Sequence, residues 1–257
     1  MRGRKKLPPD ALAPFQWAPT GTQHVVSWGD PTLAARPTDA EGDDEGNELA
    51  PADDAPSPVP IDWAALFGNA HPVEVEVGFG KGLFLANSAA ANPEVNYFGV
   101  EIIRKYQLIA TNRLAVRNLT NARTCWGDAK RVLERHVAPG SVAAVHVYFP
   151  DPWWKKRHQK RLIMTPEFVG LLHRVLVPGG VFHFATDVPD YFAWVRETMA
   201  AFPELPPIGA PPEPEPEHDM DYLTNFERRF RKQGKPIHRE RYRKPEQSSR
   251  ILTAEGT

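Results

Sequence analysis

The stretch that most constrains this chain is residues 73–82, VEVEVGFGKG. It opens as an alternating β-branched strand and breaks into glycines at every second position, Gly78, Gly80 and Gly82. The apolar run Leu83, Phe84, Leu85 and Ala86 follows at helical spacing. Strand, glycine turn and helix in that order form the nucleotide-cradling corner of a doubly wound α/β sheet. Glycine tolerates positive φ in such a turn and lets backbone approach a ligand with no Cβ in the way.

The pattern departs from a dinucleotide fingerprint. G-x-G-x-x-G needs glycine or alanine at position 83, where this chain has leucine. Glu76 stands just before the glycines, where it would repel a pyrophosphate but pair with an ammonium group. Glu101 follows Gly78 at about the 20-residue offset of an acid that bonds ribose hydroxyls. Asp128 ends a third predicted strand and points into the same crevice, because ligands bind at the carboxyl ends of parallel strands. Three acids at three strand ends suit a cofactor without phosphate, and S-adenosylmethionine is that kind of molecule. Each acid also has a plainer reading as a helix cap or a solvated turn residue. Lys81 reads as a solvent-facing turn residue.

The chain around this corner alternates strands and helices. Strands are expected at 96–100, 122–126, 141–149 and 181–185, and helices at 61–67, 83–91, 104–118, 129–136, 165–176 and 191–202. Thr165 and Pro166 form a helix start with a capping hydroxyl and a proline in the first turn. This alternation predicts an α/β fold with a doubly wound, mostly parallel sheet. Residues 1–58 are rich in Pro, Ala and acids and read as a largely disordered extension, with Phe15, Trp17 and Trp28 as aromatic exceptions able to dock on the body. Residues 59–250 read as the folded domain.

Charge is balanced at 31 Lys plus Arg against 32 Asp plus Glu, so bulk charge implies no partner. Its distribution is uneven: acids crowd the first third, and bases crowd 155–161 and 228–244. The single cysteine, Cys125, excludes an intramolecular disulfide framework and a cysteine-based zinc site, and reads as a buried strand residue. No apolar run approaches the roughly 20 residues of a membrane span. A cytoplasmic protein without a metal is the expectation.

Asp151 follows a buried strand and lies between Pro150 and Pro152, which stiffen it and bias it toward an extended conformation. Trp153 and Trp154 come next, then Lys155, Lys156, Arg157, His158, Gln159, Lys160 and Arg161. Interleaved cations and aromatics beside a cleft are the footprint of a nucleic-acid site. From the residues alone, three other readings stay open: a methyltransferase acting on protein or a small molecule, a nicotinamide-linked oxidoreductase, and a non-enzymatic RNA-binding protein. His146, His158 and His183 read as structural rather than as catalytic bases.

The strings EVGFGKG, YFPDPWWKKRHQKRLI, GGVFHFATD and LTNFE, in this order, resemble bacterial tRNA (guanine-N7)-methyltransferases over about residues 73–244. The resemblance implies a class I methyltransferase fold, S-adenosylmethionine as donor and the guanine of the tRNA variable loop as acceptor. It implies cofactor contacts from Glu76, Glu101 and Asp128, and an active-site role for Asp151. Lys155, Asp187 and the segment Thr224, Asn225, Phe226 and Glu227 would contact substrate. Residues 157–162, which end in Leu162, would contact RNA. The family's arginine-rich N-terminal element is poorly matched here, and the acidic extension is additional. No protein partner is evident, and monomer and homodimer both stay open.

Overall fold

The structure is a computed structural model that describes residues 6–19, 59–152, 162–211 and 224–246. In chain order its elements are α1 (Pro9–Leu12), a 3-10 turn (Ala13–Phe15), β1 (Gln16–Trp17), α2 (Trp63–Phe67), β2 (Val73–Val77), α3 (Leu83–Ala91) and β3 (Asn96–Glu101). Then come α4 (Arg104–Val116), β4 (Ala122–Trp126), α5 (Ala129–His136), β5 (Val142–Tyr148), α6 (Pro166–Val175) and β6 (Leu176–Thr186). The described chain closes with α7 (Pro189–Ala200), α8 (Asn225–Lys232) and β7 (His238–Arg243).

Among the described residues the strands form one sheet in the order β1-β4-β3-β2-β5-β6-β7. Every neighbouring pair is parallel except β6 and β7. The chain runs outward from β2 through β3 to β4, then crosses back to β5 and continues to β6. Strand order therefore reverses between β2 and β5. In an open α/β sheet the ligand crevice lies at that reversal, outside the carboxyl ends of the strands. β2 ends in the glycine turn and β5 ends in Phe149, Pro150 and Asp151, so the fold sets the two sequence motifs on either side of one crevice.

Local sequence explains most of these elements. Asp62 caps α2 by accepting from the Ala65 amide, and Gly68 ends that helix in a left-handed conformation at φ 73°. Asp128 caps α5, and Thr165 caps α6 ahead of Pro166. One face of the sheet and helices α2, α5, α6 and α7 enclose the main apolar core, with Val75, Phe98, Val145, Phe168 and Phe182 fully buried. Cys125 is buried within it, and burial pushes its thiol up to about 12.

The ends of the sheet differ from the sequence expectation. Residues 6–19 are not a loose tail: Gln16 and Trp17 pair in parallel with Thr124 and Cys125 and form the sheet's outer strand. Leu12 is 0% exposed against Leu108, Phe15 is buried, and Trp17 packs edge-on against Phe98 at 5.6 Å. The Leu7 amide donates to Asn112 Oδ1 at 2.9 Å, and the Phe15 carbonyl accepts from Thr124 Oγ1. Trp28 lies outside the described residues. At the other edge, residues 238–243 form an antiparallel strand where the sequence suggests only a basic, aromatic segment. β6 also begins earlier than expected. It carries Pro178–Gly180 as an irregularity opposite Val142–Ala144 instead of starting after a turn. A side chain at Gly180 would meet the Val177 and Ala143 carbonyl oxygens at 2.8 and 3.1 Å, so only glycine lets the backbones come this close.

Candidate active site

The glycine corner is built as its spacing predicts. Gly78, Gly80 and Gly82 have φ values of 72°, 54° and 64°, a region that side-chain-bearing residues disfavour. A Cβ at Gly82 would also lie 2.5 Å from the Ala110 Cβ, so this glycine lets α3 start against α4. Phe79, between the glycines, turns inward over Gly99 of β3, where an added Cβ would sit 2.5 Å from its ring. Lys81 faces solvent, with its ammonium 5.8 Å from the centre of the Tyr106 ring.

Glu76 and Glu101 lie beneath this turn. Glu101 fastens the turn: Oε2 accepts from the Gly80 amide at 2.7 Å and Oε1 from the Ile103 amide at 2.8 Å. Glu76 is 4% exposed, and its Oε2 is buried without a hydrogen-bond partner. Burial, and then the neighbouring Glu101 charge, push its carboxyl up to about 8, against a bond from the Leu85 amide that favours the ionised form. Burial likewise raises Glu101. An unpartnered buried carboxylate oxygen at a glycine cradle is a site for a cation, because burying a carboxylate without one is costly. These acceptors fit the ammonium and ribose of S-adenosylmethionine, and the one cation of the turn, Lys81, faces solvent.

Asp128 is more committed than the sequence suggests. Its Oδ1 accepts from the Lys130 amide at 2.8 Å and the Arg131 amide at 3.4 Å, so it is the N-cap of α5. A bond from Asp128 to a ligand would have to use the other oxygen.

Asp151 stands across the crevice at the exit of β5. Its carboxyl opens to solvent at the surface, yet the surrounding wall withdraws enough water to raise its pKa. Its charge reaches Glu101, so the two acids share one cleft. Asp187 follows β6 on the same side of the sheet and is half-buried. Lys155, Arg157, His158, Gln159, Lys160 and Arg161 lie outside the described residues, as do Trp153 and Trp154. Leu162, at the end of that stretch, packs against the apolar core, and its carbonyl accepts from Lys130 Nζ at 2.9 Å.

The Thr224–Glu227 segment is the start of α8. Thr224 Oγ1 accepts from the Glu227 amide at 3.0 Å, which is half of a capping box. The Glu227 carboxylate points inward. It is 5% exposed, and its Oε1 accepts from Arg231 Nε at 3.0 Å and from Arg239 Nη2 of β7 at 2.8 Å. Phe226 is the outward residue of the segment, 45% exposed, and Asn225 opens the helix.

Sequence reasoning missed two residues here. Phe149 has φ 53°, a left-handed conformation that is unusual for a bulky aromatic side chain and costs about 1–3 kcal/mol. No local pattern marks it, since the preceding strand reads smoothly into Pro150. Arg239 belongs to the basic C-terminal run, yet its side chain is 7% exposed and tied to Glu227. The period-2 pattern of HRERYR was the available signal.

Of the three histidines read as structural, His146 and His183 face each other on β5 and β6, and His158 lies outside the described residues. His146 uses both ring nitrogens, one on Glu74 Oε2 and one on Tyr148 Oη, each at 2.9 Å, and its ring stacks on His183 at 4.6 Å. Burial pushes His183 down to about 3, so it stays neutral at physiological pH.

Comparison with known proteins places this geometry. A family model described as "Putative methyltransferase" matches residues 70–240. A tRNA (guanine-N(7)-)-methyltransferase of Rhodopirellula baltica is 47% identical over 195 residues, covering 73% of this chain and 71% of the relative. The enzyme of the same name from Geobacter metallireducens is 37% identical over 197 residues, covering 77% of this chain and 90% of the relative. Among solved structures, the 16S rRNA methyltransferase KamB superposes with a TM-score of 0.50 at 18% identity, covering 70% of this chain and 90% of that one. That likeness speaks to the fold, a class I methyltransferase sheet. With a glycine cradle on one side of the crevice and a proline-flanked aspartate on the other, the chain belongs to the tRNA (guanine-N7)-methyltransferase family.

Proposed function

We propose that this enzyme methylates N7 of the variable-loop guanine of tRNA, with Asp151 as the residue that holds and stabilises the base. The observation that carries the reading is the crevice itself: an unpartnered, buried Glu76 oxygen on one wall and Asp151 on the other, 75 positions apart in sequence. Glu76 and Glu101 would hold the amino and ribose groups of S-adenosylmethionine, and the turn from Gly78 to Gly82 would let its backbone lie close. When bound, the cofactor supplies a methyl group on a sulfonium centre.

Guanine N7 presents a lone pair and no proton, so the chain need supply no general base. What the reaction does generate is positive charge on the purine. Asp151 answers that need, as a carboxylate in partly dehydrated surroundings whose field is felt more strongly than in bulk water. It accepts from a donor edge of guanine and thereby orients the ring. Asp187, which follows β6, would take the remaining donor edge, and the Lys155–Leu162 stretch, which follows Asp151 closely in sequence, would track the neighbouring backbone. Phe226 offers an exposed flat apolar face next to Phe149. Neither the histidines nor Glu227 is needed as a proton acceptor, and His146 already uses both ring nitrogens on Glu74 and Tyr148.

A tRNA transcript carrying 7-deazaguanine at the variable-loop position tests this reading. Methyl transfer to the unmodified transcript and none to the 7-deaza transcript is the expected result; equal labelling of both would overturn it. Within the enzyme, Asp151→Asn should lower kcat about 10- to 150-fold, the worth of one hydrogen bond to a charged group. Cofactor affinity should stay unchanged in that variant. A loss of cofactor affinity with kcat retained would move Asp151 to the other wall of the crevice.

A further inference from the structure

The strained Phe149 lies in a closed circuit of contacts that reaches Asp151 from the far edge of the sheet. Its amide donates to the Ala185 carbonyl at 2.8 Å, so β5 stays hydrogen-bonded to β6 up to the residue where the chain turns away. Ala185 stands in register with Arg239 of β7. Arg239 holds Glu227 at 2.8 Å, and Glu227 belongs to the first turn of α8. From that helix, Phe226 and Phe230 pack on the Phe149 ring, at 6.0 Å and 27° and at 5.6 Å and 46°. The Arg229 guanidinium covers the outer side of the same pair, 5.4 and 4.7 Å from their centres.

A bulky residue keeps a left-handed backbone only where its surroundings over-determine it. Here three things do so: the amide bond to β6, the ring stack from α8, and Pro150 behind it. Asp151 is the second residue after Phe149, so a swing of the Phe149 backbone to an ordinary φ would redirect the carboxylate by several ångströms. The T-x-x-E start of α8 meets this circuit at two points, through Phe226 and through Glu227.

We propose that Phe149 is a positioning residue for Asp151, locked in its left-handed conformation by α8, which Glu227 ties to β7. The proposal rests on the assignment of Asp151 as the group that holds guanine. α8 thereby joins substrate engagement to the aim of the carboxylate, because Phe226, its exposed aromatic, is also part of the lock. An RNA base that settles on Phe226 presses the stack that sets Asp151.

The test is a mutant cycle on kcat with saturating tRNA and cofactor. Phe149→Leu removes the ring, Phe149→Tyr keeps it, and Glu227→Gln loosens α8 from β7. Displacement of a reacting group by about 1 Å can cost up to about 100-fold, so Phe149→Leu and Glu227→Gln are each expected to lower kcat about 10- to 100-fold. The dissociation constant for S-adenosylhomocysteine should not move, and Phe149→Tyr should restore most of the rate. The deciding arm adds Phe149→Leu to Asp151→Asn. Groups that act through one another are not additive, so the second change should lower kcat by no more than about twofold. Full multiplication of the two losses would overturn the proposal, as would a Phe149→Leu enzyme at wild-type kcat. If Asp151→Asn itself turns over like wild type, the assignment of Asp151 fails, and not merely its coupling to Phe149. Melting curves of each variant separate misfolding from loss of aim, since an unfolded variant would lose cofactor binding as well.

Discussion

A carboxyl that is buried without a counter-charge keeps its proton longer than one in water, and Glu76 illustrates what this does to a binding site. Its pKa in the fold is about 8, against an ordinary 4.5. Between these values the folded, ligand-free enzyme holds a proton that the unfolded chain has released. The contribution of Glu76 to stability is therefore full below about pH 4.5 and is lost as pH rises toward 8. A ligand ammonium reverses the preference and expels that proton. S-adenosylhomocysteine should accordingly bind more tightly as pH rises from 6 to 8, by no more than tenfold per pH unit for one proton released. Calorimetry in buffers of different ionisation enthalpy would count that proton directly. In Glu76→Gln the release should vanish and affinity should fall about 10- to 150-fold, the worth of a hydrogen bond to a charged group. Proton release that survives the substitution would point to another titrating group.

At the scale of elements, the glycine turn and the two helices behind it form one mechanical unit. Gly82→Ala meets both a positive φ and an Ala110 Cβ at 2.5 Å. It should cost about 2–4 kcal/mol from backbone strain plus overpacking, read by urea denaturation. Cofactor affinity should fall with it, because α3 begins at this residue and its Leu85 amide reaches Glu76. This unit was legible in the sequence because each of its parts carries a local signature: β-branched alternation, glycines at every second position, and an acid at each strand end. Proline flanks made Asp151 legible in the same way. The lock around Phe149 was not, because a left-handed phenylalanine has no sequence mark and its partners lie some 80 positions away on α8. The sequence shows only that bases crowd residues 228–244, whereas in the fold Arg231 and Arg239 of that run are engaged with Glu227. Composition reports charge, and only the fold reports what the charge faces.

For the whole molecule, the sheet is centred on the crevice and finished at both edges by segments from the two ends of the described chain. The N-terminal edge was illegible because a two-residue strand has no periodicity to read and the acidic stretch after it dominates the composition. Removing residues 1–19 would strip β1 from β4 and uncover Leu108 and Phe98. Taking away the buried Leu12 alone, as Leu12→Ala, should cost about 2–5 kcal/mol. The full deletion should cost at least as much and leave β4 as a bare strand edge prone to self-association. Thermal unfolding with light scattering would record both. A truncated enzyme as stable and as monodisperse as the full chain would show that β1 is dispensable.

The pairing of Gln16 with Thr124 also sets an order of events. Residues near the start of the chain leave the ribosome first, yet their seat on β4 exists only after more than 100 further residues have been made. Contacts so distant in sequence form late, since the loop between them must close before any bond is gained. Until β1 is seated, the sheet carries an open flank at β4. The crevice between β2 and β5 lies two strands away from that flank.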